Sequence, residues 1–143
     1  MSDAVFVDTD IILDLLTRRE PFYPAAARLF SLVERGELKA CASSLTFANL
    51  FYILRKELSG PRAVEVLKKL KLLVAILPVD ERVVSLALDA GFRDFEDAIQ
   101  YHAALGGDVT VLLTRNGRDY PNPAISVCTA EEFLARRFTA ERS

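Results

Sequence analysis

Two runs limit what this chain can fold into: residues 4–7, Ala-Val-Phe-Val, and residues 109–113, Val-Thr-Val-Leu-Leu. Neither carries a charge, and neither alternates apolar with polar positions in the way of a strand with one wet face. Strands covered by helices on both sides read as such continuous apolar runs, and they belong to parallel sheets. Three weaker runs of similar length, 39–42, Val74–Leu77 and 124–128, are bracketed by turn residues in the same way.

Helical periods fill the intervals. Phe22, Ala25, Ala26, Leu29, Phe30 and Val33 repeat at helical spacing over 21–35, and Gly36 stops them. Phe47, Leu50, Phe51, Leu54 and Leu58 mark one face of a helix that Ser43 or Ser44 caps and that ends before Gly60. Pro61 suits the first turn of a helix over 61–72, whose end carries Lys68, Lys69 and Lys71 as the helix dipole prefers. Further helical segments are expected at 10–17, 80–89, 94–105 and 129–138. Strand and helix alternate, which implies an α/β fold: a three-layer α/β/α sandwich around a parallel sheet of about five strands. Residues 1–138 are expected to form one domain, with 139–143 as a frayed tail.

The charge balance narrows the function. A formal net charge of -2 argues against holding nucleic acid by bulk electrostatics, but it leaves room for an enzyme whose cations are metals at an acidic site. No apolar run approaches the roughly 20 residues of a membrane helix. The acidic start, Met1-Ser2-Asp3-Ala4, has no signal-peptide pattern, and Cys41 and Cys128 sit apart in apolar surroundings as reduced thiols would. A cytoplasmic protein is expected.

Four places carry polar residues that a core does not require. Asp8 follows the first buried run directly, where the chain leaves a sheet for a helix and where ligands of open α/β sheets bind; capping that helix would explain it equally well. Asp94-Phe95-Glu96-Asp97 fits a helix start, with Asp94 as the cap. A cap needs one or two acids, however, and three in four residues repel one another unless a divalent cation offsets them. Thr114-Arg115-Asn116-Gly117-Arg118-Asp119-Tyr120 follows the last buried run. Its residues suit a turn, and they also suit a site in which Thr114 and Asn116 donate hydrogen bonds and Asp119 adds charge. Asn49 lies in an otherwise apolar helix and needs a partner. Hard oxygen donors without a Cys or His cluster favour Mg²⁺ or Mn²⁺ over zinc. His102, among alanines, reads as packed or exposed rather than as a ligand. There is no Gly-x-Ser-x-Gly, Walker A or Gly-x-Gly-x-x-Gly pattern, so the signatures of acyl transfer, P-loop phosphate binding and dinucleotide redox are missing.

Together these stretches resemble the PIN-domain family, a metal-dependent ribonuclease fold that includes the VapC-type toxins of toxin–antitoxin pairs. The resemblance runs from Val5 to about Phe138. It implies an endoribonuclease in which Asp8 and Asp97 hold Mg²⁺ or Mn²⁺, with Asp94 or Asp119 as a further ligand. Asn49 and Asn116 stand where the family commonly has a glutamate and an aspartate, as in a variant subgroup, and would orient ligands or water. The catalytic set so implied is Asp8, Asp97, Asn49, Asn116 and Asp119. Asp10 and Asp14 take supporting roles, and Glu96, one residue out of phase with Asp97, is expected to face solvent. RNA as substrate, a protein antitoxin and a homodimer follow from the resemblance. Arg18, Arg19, Arg55, Lys56, Arg115 and Arg118 are candidates for gripping RNA. Two other readings stand beside it: a PIN domain kept for binding RNA or protein, and a haloacid-dehalogenase-like phosphatase opening on Asp8-Thr9-Asp10. The second lacks its Gly-Thr region, where Ile11 and Ile12 stand, and has no motif around Lys68, Lys69 and Lys71.

Overall fold

A computed structural model describes residues 3–142 except Asn122. In chain order the elements are β1 (Asp3–Val7), α1 (Thr9–Leu16), α2 (Tyr23–Glu34), β2 (Leu38–Ser43), α3 (Ser44–Leu54), α4 (Gly60–Lys71), β3 (Val74–Leu77), α5 (Glu81–Asp89), α6 (Phe95–Gly106), β4 (Val111–Leu113), β5 (Ser126–Cys128) and α7 (Ala130–Arg142). A single 3₁₀ turn, Gly117–Asp119, follows β4. The five strands form one parallel sheet in the order β3-β2-β1-β4-β5.

β1 lies at the centre because its residues suit burial on both faces. Val5, Phe6 and Val7 have no exposed surface. Val5 and Val7 point to one layer, where they meet Ile12 of α1, Leu29 of α2, Leu50 of α3, Ala63 of α4 and Phe133 of α7. Phe6 points the other way, onto Tyr101 and Ala104 of α6 and Leu112 of β4. Removing such a side chain from water contributes roughly 1.5–3 kcal/mol. The two helical layers make this the expected three-layer sandwich.

Several boundaries move. The pattern through Leu58 suggested a longer α3, but regular helix ends at Leu54 and irregular turns carry the chain on, while Leu58 still packs on the core. Periodicity there reports burial, not helix. β4 begins at Val111, although the Thr110 N–H still reaches Ala4 O at 3.2 Å. The last helix runs to Arg142, past the expected end near Phe138, so residues 139–142 are helical; Ser143 lies outside the described residues.

α6 is pinned to the sheet at both ends. Ala104 faces the sheet, whereas Ala98 and Ala103 pack against Val83 and Ala87 of α5. At its exit, a Cβ on Gly107 would lie 2.8 Å from Leu77 Cδ2, so any side chain there would require Leu77 to move. Nearer its start, buried Gln100 joins a closed polar group: the Ser43 hydroxyl donates to Gln100 Oε1, and Gln100 Nε2 donates to Thr46 Oγ1 at 3.0 Å. Ser43 also caps α3 through the Thr46 N–H at 3.1 Å. The end of β2, the start of α3 and the first turns of α6 are thereby held in one register.

Strand order runs outward from β1 through β2 to β3 and then resumes on the other side of β1 with β4 and β5. At such a reversal the connections leave in opposite directions and open a crevice beyond the carboxyl ends of the two central strands. In this chain those ends deliver Asp8 and Thr114.

Candidate active site

Asp8 caps α1 and stands at the β1 end that opens on the crevice. As N-cap of α1 it accepts the Thr9 N–H on Oδ1 at 2.8 Å, and its own N–H extends the sheet to Leu113 O at 2.9 Å. Its other oxygen, Oδ2, accepts from Thr114 Oγ1 at 2.9 Å. Burial is the main reason that its pKa rises to about 7; Asp10 and, more weakly, Asp97 push the same way, while the bonds from Thr114 and Thr9 pull it down. A helix cap alone does not place a carboxylate among other acids.

Asp10, expected in a supporting role, is held by two donors. It stands in the first turn of α1, where its Oδ2 accepts the Arg115 N–H at 3.2 Å and Asn116 Nδ2 at 3.3 Å. Its Oδ1 is buried and has no hydrogen-bond partner. Burial raises its pKa against the opposing bond and charge of Arg115. The available signal was the Asp-x-Asp spacing at a helix start, which puts two carboxylates at the same helix end.

Asp97 comes from α6. Its pKa rises to about 6, through burial first and then through Asp94, Asp119, Glu96 and Asp10. Asp97 therefore shares the field of Asp8 and Asp10 even though 87 to 89 residues of chain separate them. Asp94 caps α6 by accepting the Asp97 N–H at 3.1 Å. Asp119 is exposed at the end of the 3₁₀ turn. Thr114, fully buried, donates to Asp8 and accepts the Asn116 N–H at 3.2 Å on the same oxygen.

Asn49 has its partner in Glu96: Nδ2 donates to Oε1 at 2.7 Å. Glu96 is exposed, as expected, but it is tied to α3, not merely solvated. Tyr120 is a site neighbour that the sequence did not reveal. It is buried against Phe92 and Tyr101, its hydroxyl has no partner, and burial with the charges of Asp8, Asp97, Asp10 and Asp119 holds the phenol firmly protonated. The proposed grip also changes. Arg115 is directed to Asp14 and to the face of Phe22, 4.0 Å from the ring centroid. Arg18 lies over Tyr23 and Arg55 over Tyr52.

The donor set suits a hydrated divalent cation. Among the described residues no three Asp, Glu, His or Cys side chains are gathered as a ready-made metal cage, so Asp8, Asp97 and Asp94 are not preassembled. Mg²⁺ rarely needs such a cage, since it retains several waters and takes one or two carboxylates together with substrate phosphates. Crowded carboxylates with raised pKa values and a buried Asp10 oxygen without a donor are what a cation would relieve.

A family model described as PIN domain matches residues 4–118. Ribonuclease VapC1 of Aquifex aeolicus is 26% identical over 140 residues, covering 94% of this chain and 96% of that protein. Among solved structures, VapBC-1 from nontypeable Haemophilus influenzae superposes with a TM-score of 0.68 at 17% identity, over 90% of this chain and 98% of that one. VapC20 of Mycobacterium tuberculosis, described as a sarcin-ricin loop cleaving toxin, gives a TM-score of 0.64 at 18% identity, over 80% and 92%. At these identities the structural likeness speaks to the fold.

Proposed function

Because the chain belongs to the PIN-domain family, we propose that it is a metal-dependent endoribonuclease, the toxin of a toxin–antitoxin pair. One observation carries the proposal: Asp8, Asp10 and Asp97 are desolvated and, more weakly, repel one another at the crevice between β1 and β4, and Asp10 Oδ1 lacks a donor. The name of the Aquifex relative, a ribonuclease that matches nearly end to end, supports the same reading.

In this reading Asp8 and Asp97 hold Mg²⁺ or Mn²⁺, with Asp10 Oδ1 beside them and Asp94 or Asp119 at the rim. When bound, the ion lowers the pKa of a coordinated water from about 15.7 toward about 7 and offsets charge on the phosphoryl oxygens. The chain's own residues prepare the place. Thr114 fixes the orientation of Asp8, and Asn116 with the Arg115 N–H fixes that of Asp10. Asn49 secures Glu96 at the α3–α6 edge. Asn116 supplies a donor where a further acid would add charge, so the site depends on the phosphate and on water to complete the cation's shell. RNA is the substrate. A protein antitoxin and a second copy of the chain are the proposed partners, in the cytoplasm. Among the described residues no helix is long and apolar enough to cross a membrane.

Cleavage of labelled RNA in Mn²⁺ and in chelator tests the proposal. Asp8→Asn and Asp97→Asn should each lose at least about 100-fold in kcat while keeping the fold. Wild-type rates in both variants would sink the assignment. A wild-type protein that ignores millimolar Mn²⁺ and leaves RNA intact would favour a binding-only domain, to which Asn49 and Asn116 lend some weight.

A further inference from the structure

Arg115 touches α1 twice. Its main-chain N–H donates to Asp10 Oδ2 at 3.2 Å, and its guanidinium meets Asp14 one helical turn further on, Nε 3.1 Å from Oδ2 and Nη2 3.2 Å from Oδ1. Residues four apart share one face of a helix, so both grips lie along the same line of α1. Asp14 is only 1% exposed, and the guanidinium rests on the ring of Phe22 between α1 and α2. The Nη2 contact is a hydrogen bond and the Nε contact a charge contact only, so the pair is held at one point and packed at the others.

A buried ion pair is a poor device for stability alone, because desolvating both charges offsets most of their attraction. Two apolar side chains of similar volume would fill the space with no such cost. The pair does set a direction: the planar guanidinium, stacked on Phe22 and hydrogen-bonded through Nη2 to a buried carboxylate, is restricted in a way that a lysine would not reproduce. The turn carrying Arg115 also carries Asn116, whose Nδ2 supplies the second donor to Asp10 Oδ2. Two donors from one turn on Oδ2 constrain the orientation of the Asp10 carboxylate, and Oδ1 is left without a donor of hydrogen-bond geometry.

We propose that Arg115 is a positioning residue, clamped by Asp14 and Phe22 so that the 114–116 turn holds Asp10 with Oδ1 presented to the acidic crevice. The clamp is a property of the chain itself; that Oδ1 faces a cation rests on the function proposed above.

Three variants of the full chain test it: Asp14→Asn, Arg115→Met, and the double variant Asp14→Leu/Arg115→Met, which leaves neither charge unpaired. Exchange of the residue-115 amide, followed by NMR, should be about tenfold faster or more in all three. Mn²⁺ affinity by calorimetry should fall about tenfold, as when a group that orients a ligand is lost. Cleavage at saturating Mn²⁺ should keep the wild-type KM for RNA. A fourth variant, Arg115→Lys, should fall between wild type and Arg115→Met in both exchange and affinity. Unchanged amide exchange overturns the clamp. Unchanged Mn²⁺ affinity with a raised KM overturns it in favour of a phosphate contact. A lowered melting temperature with wild-type exchange and affinity leaves Arg115 a packing residue only, and overturns it too. If the wild-type protein binds no Mn²⁺, the proposed function fails, while the exchange measurement still decides the clamp.

Discussion

Thr114 Oγ1 donates to Asp8 Oδ2 at 2.9 Å across the seam where β4 lies against β1. The bond favours the ionised form of Asp8 and partly opposes the burial that raises its pKa to about 7. Thr114→Val keeps the shape and removes the donor. We expect a stability loss of about 1–2 kcal/mol by denaturant titration. The acidic limb of the cleavage rate should move to higher pH, because Asp8 then ionises later. A limb that stays in place would show that Asp8 does not govern the rate.

The metal-free protein should be less stable in base than in mild acid. Asp8 and Asp97 have folded pKa values of about 7 and about 6, against 3.8 for the free side chain. Between these values the folded state binds more protons than the unfolded chain, so stability falls as pH rises. The contribution is complete below about pH 4 and gone above about pH 7. Thermal unfolding in chelator should show a Tm at pH 5 at least about 5 °C above that at pH 8. Millimolar Mn²⁺ should close most of the gap at pH 8. A flat profile would mean that burial, with the weaker repulsion among the acids, does not raise these carboxyl pKa values as described.

Asn116→Asp separates two effects on the same atom. Nδ2 now donates to Asp10 Oδ2 at 3.3 Å, and the variant would set a carboxylate against a carboxylate there. Without metal, the protein should lose about 1 kcal/mol or more. With metal, the added charge should strengthen Mn²⁺ binding several-fold, by calorimetry. Stabilisation in chelator, or weaker Mn²⁺ binding, would place Asn116 away from the cation.

Gln100→Leu breaks the buried group that registers α6 on β2 and α3. The Ser43 hydroxyl loses an acceptor and the Thr46 hydroxyl a donor, both out of reach of water. A cost of about 1–3 kcal/mol is expected from chemical denaturation. Asp97, on the preceding turn, should lose alignment, so that kcat falls more than KM changes. A variant as stable as wild type would show that the polar group is replaceable by packing.

Much of this was legible in the sequence because it is local. Unbroken apolar runs announced a sheet covered on both faces, and Asp8 stood out because a charge directly follows a buried strand. What stayed hidden depends on partners far along the chain. Asp10 gains its importance from Arg115 and Asn116, more than 100 residues away. Asn49 could be seen to need a partner, but not that the partner is Glu96 on a helix that packs from the opposite layer. Gln100 looked like any polar residue of a helix until β2 and α3 surrounded it. Arg115 looked like a hand free to hold substrate, and only the fold turns it inward to Asp14. Strand order likewise has no local signature, and the crevice exists only because the order reverses between β1 and β4.

That reversal also sets when the crevice can exist. Val7 and Leu113 face each other in the central ladder, and Asp8 meets Thr114 just beyond it. A nascent chain that has emerged through β1, β2 and β3 holds Asp8 and Asp10 with nothing to orient them. The acids acquire their geometry when β4 docks and closes the longest-range strand pairing of the sheet, the slow kind of contact to form. Under the proposed function, the chain would thus pass most of its synthesis without an assembled site.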